Sequence, residues 1–262
     1  MNPFETTEIN YEEYSGTFGL LPIPESVKLQ LLGHSWIERN IIYAQRELNS
    51  NSIISNEKYF IYTGRGPSSQ NLHIGHLIPF MFTKYLQDIL QCQVVIQIAD
   101  DEKYFFKELS RVEIEKYSSN NIQEIMRIGF NPNKTFIYSA NSYKCESVEY
   151  SNLVDDILKS ISVNKISKVF GFDKKSNLGM LTWPAYRMAG AFGKSYPQLG
   201  LQDKKCLVVY SIDQDPYFRL TNEIADKLHL PRVTCLISKF IPSLNGLPKM
   251  SSTGNSDQII YT

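Results

Sequence analysis

The chain has 262 residues, of which 27 are Lys or Arg and 27 are Asp or Glu, so its formal net charge is zero. This balance excludes a protein that holds nucleic acid mainly through an overall surplus of positive charge. With 42% apolar and 21% charged residues, and no apolar run near the ~20 residues of a membrane helix, the composition indicates a globular protein rather than a disordered or membrane-spanning one.

The N-terminal region begins without the basic and apolar segments of a signal peptide, so we expect a cytoplasmic protein. We then expect an extended opening, a turn at Ser15-Gly16, and helices over 24–32 and 36–48. The polar stretch 49–56, rich in Asn and Ser, is typical of a linker or a loop. It predicts an N-terminal appendage of residues 1–55 in front of a larger domain of residues 56–262.

The larger domain opens with a pattern that is typical of a parallel sheet. Residues 59–62 are aromatic and β-prone, and a helix follows over 76–90 with apolar residues every three or four positions. Pro79 fits this helix only within its first turn. Further strands are predicted at 94–99, 136–139 and 206–212. Strand, helix and strand in this order predict an α/β fold with a doubly wound parallel sheet.

Three polar clusters fall where the predicted strands end, at 63–66, 97–103 and 211–214. Ligands of doubly wound sheets bind outside the carboxyl ends of the strands. These clusters therefore predict the position of a ligand site.

The four cysteines lie far apart and form no C-x-x-C pair, so they favour reduced thiols over disulfides or a structural metal site.

Two of the four histidines, His73 and His76, lie three residues apart near the start of the predicted helix, with Gly75 between them. A helix start presents free backbone N–H groups that attract phosphate, and a glycine lets a base or a phosphate approach the backbone closely. An isolated H-x-x-H is more often a surface pair or half of a metal site, although no further metal ligand is evident nearby. The motif alone leaves these alternatives open.

A second short motif, Lys249-Met250-Ser251, lies in a loop near the end of the chain. Alone, it would be interpreted as an ordinary solvated lysine. Its combination with the histidine motif, in this order, resembles the two signatures of class I aminoacyl-tRNA synthetases.

The sequence resembles the tryptophanyl-tRNA synthetase family, in particular its eukaryotic and archaeal branch, over essentially its whole length. Residues 2–11 resemble the hairpin that precedes the catalytic domain in that branch. The segments that carry the resemblance within the larger domain are 62–69, 73–80, 96–97, 100–104, 195–198, 212–219 and the loop of Lys249.

The resemblance implies a Rossmann-like catalytic domain with a crossover insertion at about 104–200. It implies that ATP, as its Mg²⁺ complex, activates L-tryptophan to tryptophanyl-adenylate and pyrophosphate, and that the amino acid then passes to tRNA(Trp). The substrate carboxylate is the nucleophile, so the protein positions the reactants and stabilises phosphate charge. A homodimer is also implied. The helical anticodon-binding domain of the family would follow Thr262, so we expect it to be absent from this chain.

The resemblance also implies roles for single residues. His73, His76 and Lys249 are expected to be catalytic. The residues expected to contact ATP are Gly64, Arg65, Gly66, His73, Gly75, His76, Ser211, Lys249, Met250, Ser251 and Ser252. The residues expected to bind tryptophan are Tyr62, Gln97, Glu102, Lys103, Gln198 and Gln214. No residue is expected to ligate a metal.

Three alternatives remain open at this point. Tyrosine is the second candidate substrate within the class, although an amide beside a tyrosine hydroxyl suits an indole N–H, whereas a phenol site usually places a carboxylate in reach. Outside the charging enzymes, the chain could be a module that binds tryptophan or a nucleotide without charging tRNA. The third alternative is a small nucleotidyltransferase that shares the histidine motif.

Overall fold

The computed structural model describes residues 9–31, 34–48, 53 and 59–240. The first part holds α1 (Tyr11–Phe18), β1 (Leu21–Pro22), α2 (Glu25–Gln30), α3 (Ser35–Glu38) and β2 (Ile42–Arg46). The larger part holds β3 (Tyr59–Arg65), α4 (Ile74–Leu90), β4 (Val94–Ile98), α5 (Asp100–Phe106), α6 (Arg111–Arg127), β5 (Thr135–Ser139), α7 (Ala140–Glu146), α8 (Val148–Ser160), α9 (Val163–Phe170), α10 (Leu178–Gly190), β6 (Lys205–Ser211), α11 (Asp215–Lys227) and β7 (Thr234–Ser238). Short 3-10 turns lie at Pro132–Lys134, Gly193–Ser195, Pro197–Leu199 and Ile212–Gln214.

The described strands form one seven-stranded sheet in the order β1-β2-β7-β6-β3-β4-β5. The five strands from β7 to β5 are parallel, whereas β1 with β2 and β2 with β7 pair antiparallel. The predicted α/β fold with a parallel sheet is therefore confirmed for the five central strands. The sheet is mixed because the N-terminal region adds two antiparallel strands to one edge.

Both faces of the sheet are covered, so the central strands are buried on either side. Along β3, Phe60 and Tyr62 belong to one apolar cluster, and Tyr59 and Ile61 belong to the other. Alternation follows from the two-residue period of a strand. Helix α4 packs on the Ile61 side, whereas α8, α10 and α11 pack on the Tyr62 side. This packing places Tyr62 between the sheet and α10.

The N-terminal region differs from the prediction in two places. The predicted helix over 36–48 is wrong, because that stretch forms the short α3 and then β2, which pairs with β7. Distant pairing has overridden local helix propensity here. The predicted extended opening with a turn at Ser15-Gly16 is also wrong, since α1 runs through these residues. Asn10 caps α1 by accepting from the Glu13 N–H, and Gly19 ends it at a φ of 66°.

The helix predicted at 76–90 is confirmed, but it starts two residues earlier, at Ile74. Pro79 therefore lies in the second turn, and the expectation that it sits in the first turn is wrong. Proline lacks the N–H that would bond the Gly75 carbonyl, which leaves a gap in the backbone ladder near the start of α4. No helix in the described ranges is long and apolar enough to cross a membrane.

A buried acidic group ties the N-terminal region to the core. The carboxylate of Asp215, at the start of α11, is fully buried and accepts from the Tyr14 hydroxyl at 3.1 Å and the Tyr210 hydroxyl at 2.9 Å. Arg46 of β2 and Arg219 of α11 approach the same carboxylate at 3.1 and 3.0 Å. The division at residue 55 stays a prediction, but β1 and β2 belong to the same sheet as the rest.

Candidate active site

A cavity of about 490 Å³ opens at the carboxyl ends of β3, β6 and β7, where the starts of α4 and α5 and one side of α10 complete its walls. This is the position that a parallel sheet offers to a ligand. Eleven of the predicted site residues that the structure describes line it: Tyr62, Gly64, Arg65, Gly66, His73, Gly75, His76, Glu102, Lys103, Ser211 and Gln214.

One end of the cavity, here called the histidine end, consists of Arg65, His73 and His76. His73 is the N-cap of α4, so it precedes the first helical residue, Ile74, whereas His76 lies within the first turn. The two imidazole rings stack with centroids 3.5 Å apart at 26°. The His73 N–H lies 3.4 Å from His76 Nδ1, and Arg65 Nη1 lies 3.0 Å from His76 Nε2. The two histidine rings therefore pack against each other at the N-terminus of α4, and His76 contacts the Arg65 guanidinium.

Arg65 is the buried cation of the histidine end. Its Nε donates to Asn121 Oδ1 at 3.0 Å, while its Nη2 is buried without a partner among the described residues. Burial lowers the pKa of Arg65 to about 10, so the group remains charged at neutral pH. A buried guanidinium with an unused N–H at a cavity wall is suited to bind an anion. Asn121, which positions it from α6, was missed by sequence reasoning because no local motif marks it.

The glycines after β3 allow close approach of neighbouring side chains. A Cβ at Gly66 would overlap the side chains of Lys103 and Glu102, and a Cβ at Gly64 would lie 3.1 Å from the Gln97 carbonyl oxygen. Lys103 Nζ pairs with Glu102 Oε1 at 2.7 Å, directly over the turn. The glycines therefore let the start of α5 close one wall of the cavity.

The other end, here called the amide end, consists of Tyr62, Gln97, Arg187 and Gln214. The Tyr62 hydroxyl donates to Gln97 Oε1, and both side chains are essentially buried. Burial raises the pKa of Tyr62, so its hydroxyl stays neutral. Gln97 lies behind Tyr62 rather than in the cavity wall, and its Nε2 makes no hydrogen bond to a described residue. Tyr62 and Gln97 therefore form a neutral polar pair at the floor of the amide end.

Arg187 is a cavity residue that sequence reasoning missed. Its Nη2 donates to Gln214 Oε1 at 3.2 Å, and its guanidinium lies 5.6 Å from the Tyr217 ring centroid. Trp183, four residues earlier on α10, lines the same cavity. The available signal was a single positive charge in an apolar helical stretch, at the spacing that places both residues on one helix face.

One described residue of the predicted site, Gln198, lies away from this cavity. Gln198 is exposed, does not line the cavity, and donates to the Tyr143 hydroxyl at 2.8 Å. Its expected role in amino-acid binding remains a prediction without support from this geometry. The lysine loop with Lys249, Met250, Ser251 and Ser252, and the N-terminal segment 2–8, lie outside the described residues.

The charge of the cavity suits an anionic ligand. Its described walls carry five cationic side chains and two carboxylates, apart from the histidines: Arg65, Lys103, Lys107, Arg187 and Lys239 against Glu102 and Asp213. The surplus of positive charge raises the local concentration of anions. In the described part of the chain, His, Cys, Asp and Glu form no group of three or more that could hold a metal ion.

Comparisons with known proteins agree with this geometry. The family described as "tRNA synthetases class I (W and Y)" matches residues 55–262. A cytoplasmic tryptophan–tRNA ligase of Oryctolagus cuniculus is 38% identical over 234 residues, which cover 87% of this chain and 49% of that protein. The corresponding ligase of Arabidopsis thaliana is 36% identical over 276 residues, covering 100% of this chain and 68% of that protein. The chain spans about half the length of the mammalian relatives that it matches.

Solved structures are similar over nearly the whole chain. A tryptophanyl-tRNA synthetase from Encephalitozoon cuniculi bound to tryptophan has a TM-score of 0.88 at 34% identity, covering 98% of this chain and 72% of that chain. The tryptophanyl-tRNA synthetase of Plasmodium falciparum has a TM-score of 0.87 at 34% identity, covering 97% and 69%.

Proposed function

This chain belongs to the class I tRNA synthetases of the tryptophan and tyrosine group, and from that premise we propose that it activates L-tryptophan with ATP for transfer to tRNA(Trp). The observation that carries the proposal is the joining of two ends in one cavity. The histidine end offers a helix N-terminus and a buried guanidinium to phosphate. The amide end offers a neutral polar pair to an indole N–H.

At the histidine end, the protein supplies electrostatic stabilisation. In the reaction, a carboxylate oxygen of tryptophan attacks the α-phosphate of ATP, and the bond to pyrophosphate breaks. Arg65 and the first backbone N–H groups of α4 would bind phosphate oxygens as negative charge shifts toward the leaving pyrophosphate. The other described residues proposed to contact ATP are Gly64, Gly66, His73, Gly75, His76 and Ser211, with His73 and His76 as proposed catalytic residues, and Mg²⁺ enters as part of the ATP substrate.

At the amide end, Tyr62 and Gln97 form the proposed acceptor for the indole N–H. The Tyr62 hydroxyl donates its proton to Gln97 Oε1, so its own lone pairs remain available to a donor. Glu102, with Lys103 beside it, and Gln214 lie nearer the mouth and are the proposed contacts of the α-ammonium group. This pattern supports tryptophan over tyrosine because the floor is an amide and a phenol rather than a carboxylate.

The remaining parts of the proposal rest on the sequence and the relatives. Lys249 would clamp the pyrophosphate from its loop with Met250, Ser251 and Ser252, and Gln198 remains a candidate for amino-acid binding. We include a homodimer and a cytoplasmic location, the latter because the matched relatives are named cytoplasmic. The proposed catalytic domain is residues 56–262, with an insertion at about 104–200 between its halves.

The experiment that tests the proposal is tryptophan-dependent exchange of pyrophosphate into ATP by the purified chain, with tyrosine as the parallel amino acid. Exchange with tryptophan alone is the expected result. Exchange with tyrosine instead of tryptophan would show that tyrosine is the amino acid that this chain activates. Absence of exchange while tryptophan and ATP both bind would show that this chain does not activate the amino acid by itself, and absence of tryptophan binding would overturn the assignment of the amide end.

A further inference from the structure

Arg187 connects the two sides of the amide end. Its backbone carbonyl lies 3.4 Å from the Tyr62 hydroxyl, while its guanidinium reaches Gln214 on the other side of the pocket. Nη1 also lies close to the backbone of Gly64, since a Cβ at that glycine would be 3.4 Å from it. A single residue of α10 therefore contacts the floor, the wall and the mouth of the proposed amino-acid pocket.

The charge of Arg187 is not neutralised by any carboxylate among the residues that the structure describes. No carboxylate lies within ion-pair distance of it in the described part of the chain, where Asp215 is taken by Arg46 and Arg219, and Glu102 by Lys103. Its Nε is buried and makes no hydrogen bond to a described group. A half-buried guanidinium that faces a cavity and carries an unused donor is a site for an oxyanion, since a carboxylate or a phosphate can satisfy two of its N–H groups at once.

The same guanidinium also changes what Gln214 offers. Because Nη2 donates to Gln214 Oε1, part of the capacity of that amide oxygen to accept hydrogen bonds is already used, and a positive charge lies directly beside it. Gln214 is therefore a weaker contact for an ammonium group than an amide without a neighbouring charge, whereas a carboxylate is attracted to this side of the pocket. Glu102 remains as the anionic contact for an ammonium on the opposite wall.

We propose that Arg187 binds the carboxylate of the amino-acid substrate and makes that carboxylate, more than the ammonium group, the feature that the pocket selects. The proposal rests on the proposed function, because it takes the ligand of the amide end to be tryptophan. It adds a specificity-determining residue to that site. The same chemistry would suit the α-phosphate of ATP, so the experiment separates the two oxyanions.

The test compares three indole ligands by isothermal titration calorimetry without ATP: tryptophan, indole-3-propionate, which lacks the ammonium, and tryptamine, which lacks the carboxylate. ATP is titrated separately. The variants are Arg187→Gln, which removes the charge and shortens the side chain but keeps a polar amide, and Arg187→Lys, which keeps the charge but loses the planar guanidinium that can donate two parallel hydrogen bonds. Arg111→Gln is the matched control, because Arg111 also stacks on a tyrosine, at 4.0 Å over Tyr104, but lies outside the cavity. Thermal unfolding checks that each variant is folded.

The expected result is that the unmodified chain binds indole-3-propionate more tightly than tryptamine. Arg187→Gln should weaken binding of tryptophan and indole-3-propionate about tenfold or more and leave tryptamine and ATP nearly unchanged, as expected for loss of a charge-assisted hydrogen bond. Arg187→Lys should recover part of the loss, and Arg111→Gln should change nothing.

Other outcomes contradict the proposal in distinguishable ways. If tryptamine binds as well as indole-3-propionate, or if Arg187→Gln weakens all three indoles equally, Arg187 does not bind the carboxylate. If Arg187→Gln weakens only ATP binding, its oxyanion is the phosphate. If none of the three indoles binds the unmodified chain, the tryptophan site itself is wrong, and the proposed function fails together with this inference.

Discussion

The histidine end and the amide end of the cavity are assembled differently. Arg65, His73 and His76 come from one strand–turn–helix segment, so their relative positions follow mainly from local structure. Tyr62, Gln97, Arg187 and Gln214 come from two strands, a helix and a 3-10 turn that meet only in the folded chain. The histidine end can therefore be changed without altering the amide end, whereas each residue of the amide end depends on packing from several directions.

The largest effect should follow Arg65→Gln at the histidine end. Removal of a buried cation that faces the transferring phosphate should lower kcat for pyrophosphate exchange about 100-fold. Tryptophan affinity should stay nearly constant, because the guanidinium contacts His76 and Asn121 rather than the amide end. Steady-state exchange assays and calorimetric titration of tryptophan measure the two quantities.

Arg127→Gln serves as the control for that change, since Arg127 is exposed near the end of α6. It should leave both quantities unchanged. If Arg65→Gln also lowered tryptophan affinity, the histidine end and the amide end would not act independently.

At the amide end, Gln97→Ala should weaken tryptophan binding about tenfold and change ATP binding little, because a buried hydrogen-bond partner of the floor is lost. The substitution also leaves the Tyr62 hydroxyl without its acceptor, which costs stability. Adding Tyr62→Phe should therefore recover stability but not affinity. Urea unfolding and calorimetry separate the two results, and equal losses for tryptophan and ATP would contradict the assignment of Gln97.

A smaller effect concerns pH, through Asp101 beside the end of β4. Burial, followed by the neighbouring charge of Asp100, raises the pKa of Asp101 from its ordinary value of 3.8 to about 7. The folded state therefore holds a proton that the unfolded state releases, so the contribution of Asp101 to stability is greatest at low pH and falls as pH rises from about 4 to 7.

Asp101→Asn removes this titration and keeps an oxygen to accept from the Glu102 N–H. The free energy of unfolding, measured in urea at several pH values, should fall less over this range in the variant than in the unmodified chain. If the free energy of unfolding depends on pH equally in the two proteins, Asp101 is ionised in the folded state and its surroundings are more polar than its burial indicates.

The smallest effect should follow Gln198→Ala. Its side chain is exposed and bonds Tyr143 outside the cavity, so tryptophan affinity should change by less than about twofold. Calorimetric titration measures this directly. A tenfold loss of tryptophan affinity would show that Gln198 belongs to the amino-acid site.

Sequence reasoning was most successful where structure is local. The β3–α4–β4 unit was predicted from its periodicity and its turn residues. The histidine motif at the start of α4 indicated the residues of the histidine end. At the amide end, Gln97 and Gln214 fall in polar clusters at the ends of predicted strands, but the roles of Tyr62, Gln97 and Gln214 came from a resemblance, since nothing in a single strand reveals which side chains will share a pocket.

The residues that sequence reasoning missed depend on contacts between distant segments. Arg187 becomes a cavity residue only because α10 packs beside β3, and Asn121 matters only because α6 brings it to Arg65. Strand β2 was assigned to a helix because its pairing partner, β7, lies at the other end of the chain. Local propensity is outweighed in each case by packing that no short window contains.

The antiparallel pairing of β2 with β7 also constrains how the chain is made. Arg46 pairs opposite Cys235, so β2 leaves the ribosome long before its neighbour exists. At a synthesis rate of roughly 5–20 residues per second, the intervening stretch takes on the order of 10–40 s. During that interval β2 presents its backbone N–H and C=O groups, and the apolar residues Ile42 and Ala44, to its surroundings. The nascent chain is therefore most exposed to mispairing while the greater part of its own sheet is still being translated.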